Sequence, residues 1–154
     1  MERKKLLVGI DDRRALFGLF FAFGNRLQTA GDAFYQEVTC KQFFLLVCLT
    51  LFKEEPPTIN QMADVMGSSH QNVKQIVNKL EAGGYVMTCP DGDDKRKLRI
   101  KPTDKVESFG IKYYQKEQDF MEKFYMGISD EEVALVLQVM SQIEKNLIDI
   151  KENV

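Results

Sequence analysis

Two stretches of the sequence carry side chains that can offer hydrogen bonds and positive charge to a partner. The first, between positions 69 and 79, is rich in amides and also carries hydroxyl, imidazole and ammonium groups: Ser69, His70, Gln71, Asn72, Lys74, Gln75, Asn78 and Lys79. The second, between positions 95 and 101, is basic and holds no acid: Lys95, Arg96, Lys97, Arg99 and Lys101. Amides can pair with adenine, and lysine can reach guanine or a phosphate. This chemistry suits the groove of a nucleic acid.

The first stretch is predicted to lie on a helix whose other face is buried. The apolar residues recur at helical spacing, at Val73, Ile76, Val77 and Leu80. The amides and lysines therefore point away from the core and form an exposed face. The alternative is an ordinary solvated helix face, because charged and amide residues are also common on helix surfaces.

A shorter helix is predicted just before it. Its apolar stripe consists of Ile59, Met62, Ala63, Val65 and Met66. Thr58 and Gln61 have the spacing of a capping box, and Gly67 can end the helix because glycine tolerates a left-handed backbone. Either Ser68 or Ser69 can cap the next helix. Together the two helices predict a helix-turn-helix over residues 59–81.

A β-hairpin is predicted after the second helix. Residues 85–89 and 98–100 read as strands, and Asp91 followed by Gly92 is a turn signal. The basic residues lie in this hairpin, where they can straddle a phosphate backbone and place an arginine in a narrow minor groove. Helix, helix, strand, basic loop and strand predict a winged helix that binds double-stranded DNA.

The residues quoted above resemble the MarR (multiple antibiotic resistance regulator) family. The resemblance is carried by residues 59–69, by Val73, by residues 80–86 and by the wing sequence Asp94-Lys95-Arg96, which is similar to the family's Asp-x-Arg signature. One departure is that the family's Leu-Thr after the second wing strand appears here as Ile100-Lys101-Pro102-Thr103. This departure moves the expected start of the next helix and leaves the wing intact.

The resemblance implies a transcriptional regulator, with repression as the favoured mode, released by a small aromatic or phenolic effector. Such effectors would bind between the dimer helices and the DNA-binding lobes. Residues that could line this ligand pocket are Phe17, Phe20, Phe21 and Phe44. The alternative is that these phenylalanines belong to the core, because aromatic residues at helical spacing are more often core residues than pocket residues.

The expected architecture is mainly α with a small β-hairpin wing, in a single chain over 1–154. A winged-helix lobe spans 39–102, including a helix at 39–53 whose buried stripe is Phe43, Leu46, Val47, Thr50 and Leu51. Long helices at 11–36 and within 103–154 flank it. The last helix, capped by Ser129 and Glu132, has an apolar heptad seam at Val133, Val136, Met140, Ile143, Leu147, Ile150 and Val154.

The flanking helices are predicted to form a homodimer, because a terminal helix with such a seam usually needs a partner. The alternative is packing onto the chain's own long helices. A dimer would present two recognition helices about one DNA turn apart and would read a near-palindromic site.

Several classes of protein and site are disfavoured. The apolar run in residues 1–10 is too short for a signal peptide, and no stretch is long enough for a membrane span, so a cytoplasmic location is expected. The single histidine, His70, lacks partners at zinc-ligand spacing, and no phosphate loop or nucleophile elbow is present. The sequence therefore predicts neither enzymatic activity nor a bound metal or cofactor.

Two further questions stay open at the level of sequence. Cys40 falls in the first turn of a predicted helix, where backbone amides can lower a thiol pKa, but buried structural cysteine is the favoured reading for Cys40, Cys48 and Cys89. The alternative function is a winged-helix protein-interaction module whose basic wing binds an acidic partner. DNA binding would differ from it by a steep dependence on salt.

Overall fold

The computed structural model describes residues 9–153. Residues 1–8 and Val154, and with them the end of the predicted heptad seam and most of the segment 1–10, lie outside the described residues. The described part contains six helices and one two-stranded antiparallel sheet. In chain order these are α1 Asp12–Phe34, α2 Cys40–Leu49, α3 Ile59–Val65, α4 His70–Ala82, β1 Val86–Pro90, β2 Leu98–Pro102, α5 Asp104–Phe124 and α6 Asp130–Glu152.

The mainly helical fold with a hairpin wing is confirmed. The chain divides into two compact units, Met1–Ser108 and Phe109–Val154. Among residues 9–153, no helix combines the length and the apolar character that a membrane span requires.

The predicted helix-turn-helix consists of α3 and α4. Thr58 caps α3 through a complete capping box with Gln61, as expected. Gly67 has a φ of 58°, a left-handed conformation that favours glycine, and it allows the tight turn into α4. Ser69 is the N-cap of α4, because its side chain accepts a hydrogen bond from the Asn72 backbone N–H. This settles the choice between the two serines.

The buried face of α4 is the predicted one. Val73, Ile76, Val77 and Leu80 are all buried, and α4 packs on α2, α3 and β1. The opposite face of the helix is left on the surface. Burial of this apolar stripe therefore fixes which side chains of α4 a partner could reach.

The hairpin pairs Val86 with Pro102 and Pro90 with Leu98, so both strands extend beyond their predicted ends. Ile100 is fully buried, and its backbone N–H donates to the Pro57 carbonyl at 2.9 Å. A further bridge joins Thr58 to Arg99. The base of the wing is thus attached by backbone contacts to the segment that leads into α3.

Helix α2 differs from the prediction in its end and in its buried face. It stops at Leu49, and the following amides bond to carbonyls three residues back, from Thr50 to Val47 and from Leu51 to Cys48. The buried residues are Leu45, Leu46, Cys48 and Leu49, whereas Val47 is 43% exposed and Leu51 is 65% exposed. The predicted stripe was right for Leu46 and wrong for Val47, Thr50 and Leu51. Almost every residue of this helix is apolar, so periodicity does not select a face.

Two smaller corrections concern α3 and α1. Val65, predicted to be part of the buried stripe of α3, is exposed. In α1 most apolar residues, among them Leu16, Phe23 and Leu27, lie on the surface of the single chain, and Gly31 is the one buried residue of this helix in the described structure. Gly31 lies against the Cys40 side chain, so glycine permits close approach of α1 and α2.

The second unit contains most of α5 and all of α6. Ser129 and Glu132 form the predicted capping box at the start of α6, after Gly127 with a φ of 79°. The backbone amide of Glu131 and then the Ser129 hydroxyl hold the pKa of the Glu131 carboxyl below its usual range. Most of the predicted heptad seam is exposed in the single chain, with Val133 and Ile143 half-buried.

Candidate nucleic-acid interface

The exposed face of α4 holds most of the side chains predicted to contact DNA. His70, Gln71, Lys74, Gln75, Asn78 and Lys79 are all exposed. Ser69 is exposed as well, although its hydroxyl serves as the helix N-cap. The burial of the apolar stripe therefore presents six long polar side chains on one outer surface of the helix.

Asn72 differs from its neighbours because its side chain already has a partner within the chain. Its Nδ2 donates to the Ser68 hydroxyl at 2.8 Å, and the residue is half-buried. Together with the cap from Ser69, this bond stabilises the first turn of α4. Asn72 is therefore less available for reading bases than Gln75.

The wing loop between β1 and β2 is organised by Asp91. The Asp91 Oδ1 accepts hydrogen bonds from the backbone N–H groups of Asp93 and Asp94, each at 2.9 Å. The Asp91 N–H donates to the Lys97 carbonyl, and the Lys97 N–H donates to the Asp94 carbonyl. These bonds close a compact loop that carries the basic residues.

Arg96 stands at the exposed end of this loop. Its side chain is 93% exposed, and its Nε lies 3.2 Å from the Asp94 Oδ1. The same oxygen accepts the Arg96 backbone N–H at 3.1 Å. Asp94 thereby supports both the backbone and the guanidinium of Arg96, while Lys95 and Lys97 are exposed on either side.

Arg99 was predicted as a DNA contact, but the structure places it inside the lobe. Its side chain is only 16% exposed and forms ion pairs with Asp91 and Glu55. Its Nη1 also donates to the Pro56 carbonyl at 2.7 Å. Arg99 was predicted as a DNA contact because it belongs to a basic run. In the structure, its position in β2 turns its side chain toward acceptors within its own chain.

One cleft brings the recognition helix and the wing together. Its volume is about 200 Å³. Four of its lining residues were predicted as DNA contacts: His70, Lys74, Arg96 and Lys97. The basic wing and the exposed start of α4 therefore share one concave surface.

The same cleft includes residues that the sequence reasoning did not propose as contacts. Thr58 and Asn60 line it from the start of α3, beside Ile59 and Leu98. Asn60 is exposed and carries an amide that can both donate and accept hydrogen bonds. Its position within the α3 capping box, between Thr58 and Gln61, was the signal available in the sequence, because residues at a helix start that miss the apolar stripe point outward.

A further contact joins α4 to the wing. The Glu81 Oε1 accepts hydrogen bonds from the Thr88 backbone N–H at 2.7 Å and from the Thr88 hydroxyl at 2.8 Å. Glu81, the single acid on this helix, is thus used to hold the first wing strand. The negative charge lies at the end of α4 opposite the cleft.

The charge of Asp91 is stabilised by its surroundings. The backbone amides of Asp94 and Asp93, and then the Arg99 guanidinium, hold the pKa of Asp91 below its usual range. A lowered pKa means that the folded chain favours the ionised carboxylate. The contribution of this charge to the stability of the fold is therefore complete above the ordinary aspartate pKa of about 4. This effect is lost only as the pH falls through the lower folded pKa.

The phenylalanines proposed for an effector pocket lie mainly on the surface of α1. Phe17 and Phe21 are 63% and 65% exposed and form an edge-to-face pair with ring centroids 5.3 Å apart. Phe20 is half-buried, and Phe44 on α2 is exposed. In the single chain these rings present apolar surface outward.

The three cysteines are free thiols. Burial raises the pKa of Cys40, the Asp32 carboxylate raises it further, and Lys41 opposes them in part. Asp32 also accepts the Cys40 backbone N–H at 2.7 Å, so the helix start that could have activated the thiol is occupied by a carboxylate. Burial likewise raises the pKa of Cys48. Both shifts favour the unreactive thiol.

Cys40 is therefore expected to react slowly with a thiol reagent such as DTNB at neutral pH. Because its pKa is raised, the thiolate fraction and the rate should increase only at a higher pH than for an unstructured thiol. The measurement is the rate of Cys40 modification, followed by peptide mass spectrometry, in native and in urea-unfolded protein. Equal rates in the two states at neutral pH would contradict the assignment.

A metal site was not expected at His70. Within residues 9–153, no cluster of three or more histidine, cysteine or acidic side chains is arranged to hold a metal ion. His70 instead lines the cleft beside Lys74.

Comparison with known proteins agrees with this geometry. The sequence model of the MarR family matches residues 42–97, which run from α2 through the wing loop. The chain is also similar to a solved MarR protein from Peptoclostridium difficile, with 20% identity, a TM-score of 0.76 and coverage of 90% of each chain.

Two other solved structures are similar in fold. One is the S. aureus MepR–DNA complex, with 17% identity, a TM-score of 0.66 and coverage of 88% of this chain and 96% of that one. The other is Bordetella bronchiseptica BpsR, whose DNA binding is regulated by 6-hydroxynicotinic acid, with 13% identity, a TM-score of 0.69 and coverage of 82% and 91%. The chain thus has the fold of MarR-family regulators, and the match of its winged-helix lobe to the MarR family confirms the resemblance seen in the sequence.

Proposed function

We propose that this chain is a sequence-specific DNA-binding transcriptional regulator, a repressor that acts as a homodimer on a near-palindromic site. The observation that supports this most directly is the cleft where the start of α4 meets the basic wing. A recognition helix flanked by exposed cations matches the needs of a major groove bordered by phosphates. No enzymatic role is part of the proposal.

The proposed contacts divide into two groups. On α4, Gln71, Gln75 and Asn78 face outward and have the donors and acceptors needed to read base edges. His70, Lys74 and Lys79, together with the wing cations Lys95, Arg96 and Lys97, would bind phosphates or, for Arg96, enter the minor groove. Arg99 is left out because its guanidinium is engaged within the lobe.

The homodimer is supported by the apolar surface that the long helices leave uncovered. Exposed residues include Leu16, Phe17 and Phe21 on α1 and Val136, Met140, Leu147 and Ile150 on α6. Exposed apolar surface on long helices, such as the heptad seam of α6, is typical of a subunit interface. A dimer would also supply the second recognition helix that a near-palindromic site requires.

Release by a small aromatic effector is the regulatory part of the proposal. It is supported by the exposed phenylalanines of α1 and by the solved relative whose DNA binding responds to 6-hydroxynicotinic acid. An effector must favour a dimer whose recognition helices are wrongly spaced for DNA, because equal affinity for both states shifts no equilibrium. Phe17, Phe20, Phe21 and Phe44 remain the proposed lining of its site.

The test is a fluorescence-anisotropy titration of the protein onto fragments of the DNA upstream of its own gene, at two salt concentrations. Tight and sequence-selective binding that weakens steeply with salt is expected, because neutralised phosphates release counterions. An unrelated fragment of equal length is the control. Absence of binding at low salt would overturn the proposal in favour of a protein-interaction module with an acidic partner.

Replacing Gln75 with alanine is expected to relax sequence preference rather than to weaken binding on all DNA. Loss of one base-reading contact should reduce discrimination at one position of the site by about 1–3 kcal/mol. The measurement is competition between the best fragment and its single-base-pair variants. A uniform loss on all sequences would contradict a base-reading role for Gln75.

A further inference from the structure

Arg99 joins parts of the lobe that are far apart in the sequence. Its Nε donates to the Asp91 Oδ2, its Nη1 donates to the Pro56 carbonyl at 2.7 Å, and its Nη2 lies 2.8 Å from the Glu55 Oε1. Asp91 begins the wing loop, whereas Glu55 and Pro56 belong to the segment between α2 and α3. One guanidinium therefore holds the wing against the segment that leads into the helix-turn-helix.

The guanidinium group is well suited to this task. Its planar fork presents several N–H donors in fixed directions, so it can satisfy three acceptors at once, which an ammonium group cannot match in geometry. The side chains of Arg99 and Asp91 are 16% and 5% exposed. A charged pair that is largely withdrawn from water is screened less by salt than a surface pair.

Asp91 also connects Arg99 to the exposed end of the wing. While its Oδ2 holds Arg99, its Oδ1 accepts the backbone N–H groups of Asp93 and Asp94. Asp94 in turn supports the backbone and the guanidinium of Arg96. A continuous series of hydrogen bonds thus connects the Pro56 carbonyl to the arginine proposed to contact DNA.

We propose that Arg99 and Asp91 form a positioning pair that sets the direction of the wing and acts on DNA through Arg96. This inference rests on the proposed DNA-binding function. Neither member of the pair is assigned a contact with DNA. Their effect is to pre-organise the loop, so that little conformational freedom is lost when Arg96 reaches the backbone.

A positioning role for this pair predicts a change in DNA affinity opposite in sign to the change expected from charge alone. Asp91→Asn removes a negative charge from the DNA-binding face, which by itself should tighten binding to a polyanion. A positioning role instead requires weaker binding, by about tenfold, because the charge-assisted bond that holds Arg99 is lost. The measurement is the dissociation constant for the specific fragment at low salt.

Asp93→Asn is the matched control. Asp93 lies in the same loop, is exposed and loses the same charge on substitution. Its DNA affinity should be unchanged or slightly higher. Weaker binding by Asp91→Asn together with unchanged binding by Asp93→Asn is the result expected, and equal affinities for both variants would overturn the positioning role.

A double-mutant cycle separates positioning from general loss of stability. If Asp91 acts through Arg96, Asp91→Asn should cost little further affinity in an Arg96→Ala background, because the coupled contact is already absent. A full additional tenfold loss in that background would overturn the proposed route. Thermal unfolding and circular dichroism of each variant establish that the lobe is folded.

Limited trypsin digestion of the DNA-free protein tests the pair without relying on DNA. The wing loop contains cleavage sites after Lys95, Arg96 and Lys97, and a loosened loop should be cut several times faster at these positions in Asp91→Asn than in wild type or Asp93→Asn. Arg99→Lys provides a second variant, since it keeps the charge and loses the fork. Unchanged cleavage in both variants would overturn the inference.

Different results would overturn the DNA-binding function and the positioning role of Arg99 and Asp91. Absence of DNA binding by the wild-type chain would overturn the proposed function, and the positioning role with it. Normal DNA binding by Asp91→Asn, with wild-type binding intact, would overturn the positioning role alone.

Discussion

Replacing Arg96 with alanine is expected to weaken DNA binding on every sequence by about 1–2 kcal/mol, or about five- to thirtyfold. The Arg96 side chain is 93% exposed, and Asp94 holds both its backbone and its Nε. A phosphate or minor-groove contact from this position carries mainly electrostatic energy, so the loss should not depend on the base sequence.

The measurement is the dissociation constant on specific and unrelated fragments over a range of salt. Loss of one phosphate contact should also reduce the slope of log K against log salt by about 0.9. Lys123→Ala, which removes the same charge from the exposed last turn of α5, is the control and should bind normally. If Arg96→Ala bound as tightly as wild type at low salt, the assignment of the wing to DNA would be wrong.

Replacing Gly31 with alanine is expected to lower the free energy of unfolding by about 1–3 kcal/mol, because it overpacks a tight contact. A Cβ at this position would lie 2.5 Å from the Cys40 Sγ and 2.7 Å from the Cys40 Cβ. Gly31 is buried where α1 meets α2, so the strain must be relieved by moving one helix. Urea denaturation at fixed protein concentration measures the change.

Gly24→Ala is the matched control for this substitution. It lies in the same helix, and a Cβ there would meet no atom within 4 Å. Because alanine has a higher helix propensity, that variant should be as stable as wild type or more stable by up to about 1 kcal/mol. The double substitution Gly31→Ala with Cys40→Gly should recover part of the loss, and a Gly31→Ala variant of normal stability would contradict the contact.

Local signals predicted much of the fold. Thr58 with Gln61 and Ser129 with Glu132 form the capping boxes expected from their spacing, because these bonds involve only residues three apart. The separation of α4 into a buried stripe and an exposed polar face was equally predictable. A helix with clearly distinct faces has one orientation that buries its apolar residues.

Other features of the lobe could not be read locally. Helix α2 is apolar on nearly every side, so which of Leu45, Val47 and Leu49 is buried depends on the neighbours that arrive from α3, α4 and β2. Cys40 provides another case, since a helix start that usually activates a thiol lies beside Asp32, eight residues earlier. Both outcomes depend on contacts between elements.

The sequence by itself determined the helix-turn-helix, the hairpin wing and the polar surface of α4, because caps, turns and periodicity act over a few residues. Only the tertiary structure decided that Arg96 faces outward while Arg99, three residues later, faces inward to Asp91, Glu55 and Pro56. The two arginines carry the same charge in one basic run, and no local pattern distinguishes them. Their roles separate because the acceptors for Arg99 come from a distant segment that folding brings beside β2.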